Sequence, residues 1–150
     1  MIEKVRMIKF NEIEQLLELY KHLHVNDPKI EIDETLKKLW KEIFEDPNHF
    51  CLVIEENGKI ISSCNLIIIR NLTRNACPYA LIENVVTHKN YRKKGYGTAI
   101  LKRAIEIAKE KNCYKVMLMT SRKDENTLRF YGNAGFEKGV KTGFVKYFID

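Results

Sequence analysis

Apolar residues recur along this chain at two periods, one typical of helices and one typical of strands. Ile13, Leu16 and Tyr20 share one helical face, whereas apolar runs on either side of Asn57-Gly58 predict two strands joined by a tight turn. Strands are predicted over residues 4–9, 50–55, 59–69, 79–87, 114–119 and 143–149, with a short one at 136, and helices over residues 11–23, 33–44, 98–111 and 126–134. This order predicts an α+β fold built as a mixed α/β layer.

Local capping signals set the ends of three of these helices. Asn11 and Asp33 stand immediately before helical apolar patterns, so we expect both at N-cap positions. Gly135 follows the last helix, where a glycine is the usual C′ residue. The 150 residues contain no repeat, linker or low-complexity segment, so we expect one domain over residues 1–150.

The composition is that of a globular protein, with 45% hydrophobic and 31% charged residues. The N-terminus has no apolar secretion signal, and the longest apolar run, near Ile67, is too short to cross a bilayer. The four cysteines are well separated and show neither zinc spacing nor a disulfide framework. We therefore expect a cytoplasmic protein with neither a membrane partner nor a metal site.

A basic, glycine-containing turn over residues 91–98, YRKKGYGT, lies between a predicted strand and a predicted helix. The first turn of a helix has backbone N–H groups without partners and a partial positive charge from the helix dipole. Gly95 and Gly97 allow that backbone to approach a ligand closely. The turn therefore predicts a site for a pyrophosphate or a similar polyanion. Its spacing, R-x-x-G-x-G, fits neither the P-loop nor the Rossmann fingerprint.

The basic excess of the chain begins at this turn. The net charge is +6, and residues 88–150 hold 15 of the 26 Lys and Arg residues but only 6 of the 20 Asp and Glu residues. Nucleic acid is a common partner of basic proteins, but no recognition motif is present, and charge at a helix N-terminus suits a compact phosphate better. We therefore expect a polyphosphorylated cofactor and no nucleic-acid partner, with solvated helix faces accounting for part of the charge.

Three features together resemble the GNAT superfamily of N-acetyltransferases. The R-x-x-G-x-G spacing of Arg92 to Gly97 is similar to its acetyl-CoA signature, the predicted order of elements matches its fold, and residues 126–136 look like the segment after its fifth strand. The resemblance implies a GNAT-like acyl-CoA N-acyltransferase fold, in which helices flank a mostly antiparallel sheet with splayed fourth and fifth strands. It also implies one N-acetyltransferase domain that uses acetyl-CoA.

The resemblance implies a location for each part of acetyl-CoA. The pantetheine arm would lie between the fourth and fifth strands, where the backbone of Val85, Val86 and Thr87 would pair with its amides. Asn126 matches a position that commonly contacts pantetheine in this family. The pyrophosphate would be held mainly by the backbone of the basic turn, which comprises Arg92, Lys93, Lys94, Gly95, Tyr96, Gly97 and Thr98.

Acetyl transfer to an amine requires removal of a proton. An alkyl amine with a pKa of about 10.4 is only about one part in a thousand neutral at pH 7, so a base, or a water chain to one, must take its proton. Glu83 is the candidate base, because a carboxylate in an apolar strand is costly unless it is paired or functional. The alternative is a salt-bridged strand carboxylate. Strict alternation would place Glu83 and Val85 on one face and Asn84 and Val86 on the other.

The leaving thiolate in turn requires a proton donor. Tyr131 matches the tyrosine of the family and is assigned as general acid, since an unperturbed tyrosine is protonated at pH 7. The alternative is a packed aromatic side chain on a short helix. A backbone N–H on the fourth strand, at Val85 or Val86, would stabilise the oxyanion.

Two groups of charged residues give different expectations for the acceptor, which the resemblance implies is a primary amine of a small molecule. The segment around Glu83 resembles the glucosamine-phosphate N-acetyltransferases, and Arg70 and Arg74 could contact a phosphate. The alternative is that both are solvated loop arginines. The acidic residues between positions 27 and 34 would instead suit a cationic amine. The alternatives are a protein N-terminal or lysine acetyltransferase and a catalytically silent acyl-CoA sensor. The C-terminal strands are compatible with a homodimer.

Overall fold

A computed structural model describes residues 1–149, which form two compact units, one over residues 1–118 and a smaller one from Met119 onward. In the first unit the elements are 3₁₀ turns at Ile2–Lys4, Phe10–Glu12 and Lys89–Tyr91, strands β1 (Arg6–Met7), β2 (His49–Glu56), β3 (Lys59–Ile69), β4 (Tyr79–Thr87) and β5 (Val116–Leu118), and helices α1 (Ile13–Tyr20), α2 (Glu34–Glu45), α3 (Thr73–Ala76) and α4 (Tyr96–Glu110). The second unit contains helix α5 (Glu125–Asn133). Within residues 1–149, no helix has the length and apolar character that a membrane span needs.

The five strands form one sheet in the order β1-β2-β3-β4-β5. All neighbours are antiparallel except β4 and β5, which pair in parallel from Ala80–Val116 to Ile82–Leu118. The β2–β3 hairpin turns at Asn57 and Gly58, which both have positive φ, so the predicted tight turn is confirmed. The α+β class and the mostly antiparallel sheet are confirmed as well.

Helices cover both faces of this sheet. Helices α1 and α2 contribute Leu16, Leu19 and Trp40 to a buried cluster that contains Cys51 and Val86 of the sheet. Helix α4 packs against β2, β3 and β4 and buries most of its apolar stripe. The face below α1 and α2 therefore lies opposite the face below α4.

One predicted helix cap is confirmed and the other is wrong. The Asp33 carboxylate accepts a hydrogen bond from the Leu36 N–H at 2.8 Å, as expected for the N-cap of α2. Asn11 instead lies inside a 3₁₀ turn, and the Glu12 carboxylate accepts the Lys9 N–H at 2.8 Å. The buried Glu12 carboxylate also accepts hydrogen bonds from Arg6. Glu12 therefore takes the place of the expected Asn11 cap at the start of this segment.

The C-terminal helix ends as predicted, but residues 134–149 form none of the strands expected after it. Gly135 adopts φ +98, with its N–H bonded to the Gly132 carbonyl and the Phe136 N–H bonded to the Tyr131 carbonyl, which is a Schellman ending. Neither Phe136 nor the segment 143–149 forms a strand. An alternating apolar pattern needs a neighbouring strand to pair with, and within residues 1–149 this segment has none.

Candidate active site

The parallel pairing between β4 and β5 covers only the first part of β4. It ends at Ile82 and Leu118, so residues 83–87 have no strand partner on that edge within residues 1–149. The other edge of β4 remains paired with β3 as far as Thr87. An unpaired strand edge presents N–H and C=O groups that an extended ligand can match. The predicted pantetheine segment, Val85 to Thr87, lies in this half-open stretch.

A β-bulge at Asn84 changes the direction of the side chains in this stretch. Glu83 pairs with Asn65 and Val86 pairs with Ser63, so two residues of β4 lie opposite Cys64 alone. Asn84 adopts φ +52, which accommodates the additional residue.

The bulge corrects the alternation that was predicted for β4. Because Asn65 and Ser63 share one face of β3, their partners Glu83 and Val86 also share a face. The expectation of Glu83 with Val85 and Asn84 with Val86 is therefore wrong. The additional residue of the bulge shifts the alternation, and the carboxylate of Glu83 belongs to the α1 side of the sheet.

Glu83 is half-buried, and within residues 1–149 its carboxylate makes no hydrogen bond or ion pair. The salt-bridged alternative is therefore not formed in the described chain. An unpaired carboxylate that keeps some solvent contact remains available to accept a proton.

Three polar side chains that sequence reasoning did not assign to the site are connected through Asn65, the cross-strand partner of Glu83. The Nε2 atom of His49 is 3.0 Å from the Oδ1 atom of Asn65, and the Nδ2 group of Asn65 donates to the Tyr20 hydroxyl at 3.0 Å. Asn65 is only 6% exposed. The signal that could have revealed this cluster is an asparagine inside the apolar run of β3, since a buried amide needs partners.

The basic turn leads into an open helix N-terminus. Gly95 is the N-cap of α4 with φ +91, a conformation that glycine adopts without strain, and no side chain caps the first turn. The first helical bond runs from the Ala99 N–H to the Gly95 carbonyl. The N–H groups before Ala99 are therefore suited to an anion such as a pyrophosphate.

The side chains of the turn divide into hydrogen-bonded and solvent-exposed ones. The Arg92 guanidinium donates to the Thr87 carbonyl at 3.0 Å and to the His22 carbonyl at 3.2 Å, and it therefore ties the turn to β4 and to the end of α1. The Tyr96 hydroxyl donates to Glu56 at 3.0 Å. Lys93 is exposed with φ +61, and Lys94 is exposed beside the Tyr91 ring.

Some backbone groups of the predicted pantetheine segment already have partners. The Ser62 hydroxyl donates to the Val86 carbonyl at 3.2 Å, and the Arg92 guanidinium donates to the Thr87 carbonyl at 3.0 Å. A carbonyl oxygen has two lone pairs, so a second donor can still bind.

The second unit carries the two remaining predicted residues. Asn126 is exposed in the first turn of α5. Tyr131 is half-buried in the last turn of α5, with its ring 5.0 Å from Phe130 and 6.5 Å from Phe136 between centroids. The roles of Asn126 and Tyr131 remain predictions.

The chain belongs to the acetyltransferase (GNAT) family, whose sequence profile matches residues 13–136. This assignment confirms the predicted resemblance to the GNAT superfamily. Acetyltransferases of this family use acetyl-CoA as the acetyl donor, which agrees with the predicted cofactor.

Three relatives illustrate the similarity. Glucosamine 6-phosphate N-acetyltransferase of Trypanosoma brucei brucei is 38% identical over 82 residues, 55% of this chain and 54% of that protein. Streptothricin acetyltransferase A of Bacillus subtilis is 35% identical over 72% of this chain and 65% of that protein. A solved structure assigned as an acetyltransferase of Agrobacterium tumefaciens is 40% identical with a TM-score of 0.89, covering 95% of this chain and 98% of that one. The chain thus spans 54% of the length of the Trypanosoma protein and 65% of the length of the Bacillus protein.

Proposed function

We propose that this protein transfers the acetyl group of acetyl-CoA to a primary amine of a small molecule. The observation that carries the proposal is the half-open edge of β4, with an unpaired glutamate at its start and an uncapped helix N-terminus after its end. This order provides a proton acceptor, an edge for an extended amide-containing arm and an anion site, which are the parts that acetyl transfer from coenzyme A requires.

The cofactor would bind along the end of β4 and the basic turn that follows it, from Val85 to Thr98. The backbone N–H groups from Gly95 to Thr98 would hold the pyrophosphate, and the exposed ammonium groups of Lys93 and Lys94 would add attraction from solvent. The backbone of β4 between Val85 and Thr87 would pair with the pantetheine amides, and Asn126 would add a side-chain contact to that arm. Arg92 would act through its location, since its guanidinium ties the turn to two carbonyl groups.

The reaction would proceed by direct attack. Glu83, directly or through water, would take a proton from the ammonium group, and the amine nitrogen would then form a bond with the thioester carbonyl carbon. The N–H of Val85 or Val86 would stabilise the negative charge that develops on the carbonyl oxygen. Collapse of the tetrahedral intermediate would break the C–S bond, and Tyr131 would give its proton to the departing thiolate. The nitrogen would then lose its second proton to the Tyr131 phenolate, directly or through water, which leaves a neutral amide and restores the tyrosine.

We further propose a small-molecule acceptor rather than a protein terminus. The named relatives support this, since one acts on glucosamine 6-phosphate and another is a streptothricin acetyltransferase. Arg74 lies over the Tyr114 ring at 5.8 Å in this structure. That contact favours a structural role for Arg74 over a role in binding an acceptor phosphate.

The protein is also proposed to work in the cytoplasm and to form a homodimer. All four cysteines are free, which supports a reducing compartment. Phe144, Tyr147 and Phe148 are between 79% and 90% exposed, which supports a partner for the C-terminal segment. Light scattering over a dilution series measures the mass, and a monomer at every concentration would contradict the dimer.

Titration calorimetry with acetyl-CoA, desulfo-CoA and ATP tests the cofactor half of the proposal. We expect both coenzyme A compounds to bind with micromolar affinity and ATP to bind far more weakly, because ATP lacks the pantetheine arm. A thiol-release screen of amines then tests the transfer. Equal binding of ATP, or no binding of acetyl-CoA, would contradict the assignment of residues 92–98.

A further inference from the structure

A chain of three polar side chains runs through the apolar layer between α1 and the sheet. His49 comes from β2, Asn65 from β3 and Tyr20 from the end of α1, and two hydrogen bonds of 3.0 Å connect them. Tyr20 also packs against the buried cluster that contains Cys51. Such a chain is costly to bury unless its members satisfy one another, and every buried side-chain nitrogen and oxygen of residues 1–149 has a partner.

The amide of Asn65 sets the direction of the protons in this chain. Its NH₂ group donates to Tyr20 and its oxygen faces the Nε2 atom of His49, an arrangement that requires the His49 proton on Nε2. The oxygen of Tyr20 therefore accepts a hydrogen bond, and its own proton points away from Asn65. The Asn84 amide also donates to this oxygen, so neither of the two amides that reach the hydroxyl takes its proton.

The Tyr20 hydroxyl remains protonated. Burial raises the pKa of Tyr20 well above its ordinary value, and hydrogen bonds from the Asn65 and Asn84 amides offset this only in part. Asn84 is the exposed residue of the β4 bulge. The free O–H donor is therefore next to the bulge, on the side of the sheet to which Glu83 belongs.

We infer that the Tyr20 hydroxyl selects the acceptor by donating a hydrogen bond to an oxygen substituent near its amine, while His49 and Asn65 are positioning residues that aim this donor. This inference rests on the proposed function and specifies its substrate class. Cross-strand partners in an antiparallel pair have Cβ atoms about 5 Å apart, so Glu83 lies next to Asn65. An amine bound at Glu83 would bring a neighbouring hydroxyl or carbonyl oxygen toward Tyr20.

The inferred substrates are therefore amino sugars and amino alcohols rather than plain alkyl amines. A site with a fixed, half-buried donor discriminates against an analogue that lacks the matching oxygen, because the donor is then left unpaired. A plain alkyl amine would still reach Glu83 but would leave the Tyr20 O–H without an acceptor.

Paired amines that differ in one hydroxyl group test this inference. The probes are 2-aminocyclohexanol and cyclohexylamine, with glucosamine 6-phosphate as a larger amino sugar. Tyr20→Phe should lower kcat/KM for the two hydroxylated amines by about tenfold and leave cyclohexylamine nearly unchanged. Tyr79→Phe, which removes a hydroxyl at the far end of β4, is the matched control and should change neither.

Asn65→Asp tests the positioning role. A carboxylate at this position accepts from both His49 and Tyr20, so the Tyr20 proton turns toward it and away from the acceptor. The variant should lose the same selectivity between hydroxylated and plain amines as Tyr20→Phe. An equal loss on all amines for either variant would indicate a purely structural role and overturn the inference.

Nitrogen NMR of the His49 ring tests the proton direction without any substrate. We expect a proton on Nε2. A proton on Nδ1 alone would mean that the Asn65 NH₂ group faces His49 and that its oxygen accepts the Tyr20 proton, which would overturn the inference. If the wild type binds acetyl-CoA but acetylates no amine, the proposed function itself fails. If the wild type is active and Tyr20→Phe shows no selectivity change, only this inference fails.

Discussion

Glu83 and Asn65 are direct cross-strand partners in the β3–β4 ladder, and the bulge at Asn84 begins at the next residue. The pairing and the bulge together direct the unpaired carboxylate toward the α1 side of the sheet. The amide of Asn65 in turn holds the hydroxyl of Tyr20. A proton acceptor and a hydrogen-bond donor are thus set side by side by the register of two strands.

Replacing Glu83 by glutamine tests its role as base. We expect Glu83→Gln to lower kcat by about 100-fold at pH 7 with little change in acetyl-CoA affinity, since general-base catalysis contributes on that order. The defect should shrink as the pH approaches the amine pKa of about 10.4, where the amine loses its proton unaided. Glu42→Gln, on the exposed side of α2, is the control. Wild-type turnover in Glu83→Gln would exclude the carboxylate as base.

Replacing Tyr131 by phenylalanine tests the proton donor. Tyr131→Phe keeps the ring that packs against Phe130 and Phe136 and removes only the hydroxyl. We expect turnover to fall by about 10- to 100-fold, with acetyl-CoA affinity nearly unchanged. Tyr79→Phe, which removes a hydroxyl at the start of β4, is the control. Unaltered steady-state kinetics in Tyr131→Phe would remove this residue from the mechanism.

A negative charge at the start of α4 tests the phosphate site. Gly97→Asp places a carboxylate in the first helical turn, where it would repel a pyrophosphate. We expect acetyl-CoA affinity to fall by tenfold or more in calorimetry. Asn112→Asp adds the same charge just beyond the end of α4 and should leave affinity close to wild type. Equal affinities in the two variants would contradict the site.

The guanidinium of Arg92 is expected to matter for stability. Arg92→Ala removes hydrogen bonds to the Thr87 and His22 carbonyls. Because Arg92 is exposed, we expect a loss of only about 1 kcal/mol in the free energy of unfolding by denaturant titration. Lys93→Ala, which removes a side chain without a partner in residues 1–149, should leave that free energy unchanged. Equal stability of the two variants would contradict the role of Arg92.

Glu12 makes the stability of the fold depend on pH. Hydrogen bonds from Arg6 hold the pKa of Glu12 below its ordinary value of 4.5, and the Lys9 N–H contributes as well. Its folded-state pKa is depressed, so its stabilisation is complete above the unfolded pKa and is lost as the pH falls through the lower folded pKa.

Glu12→Gln should therefore cost about 2 kcal/mol in the free energy of unfolding at pH 7. The difference from the wild type should narrow below pH 4.5, where protonation removes the same charge from the wild type. Glu14→Gln, at an exposed position of α1, is the control. A difference that stays constant from pH 7 to acid would contradict the assigned pKa direction.

The parts of the fold that depend on local pattern could be predicted from the sequence. The period of the apolar residues located β4 over Tyr79–Thr87, and Asn57-Gly58 located the hairpin turn, because both signals act within a few residues. The bulge at Asn84 could not be predicted, since it exists only in register with β3. The chain from His49 through Asn65 to Tyr20 joins residues up to 45 positions apart, which no local pattern brings together.

Equimolar product formation tests the central claim most directly. The purified protein is incubated with acetyl-CoA and glucosamine 6-phosphate or 2-aminocyclohexanol, and free thiol and acetylated amine are measured together by mass spectrometry. We expect both products to appear in equal amounts with the wild type, and both to form more slowly with Glu83→Gln. Thiol release without an acetylated amine, or no release from any amine, would contradict acetyl transfer as the function of this protein.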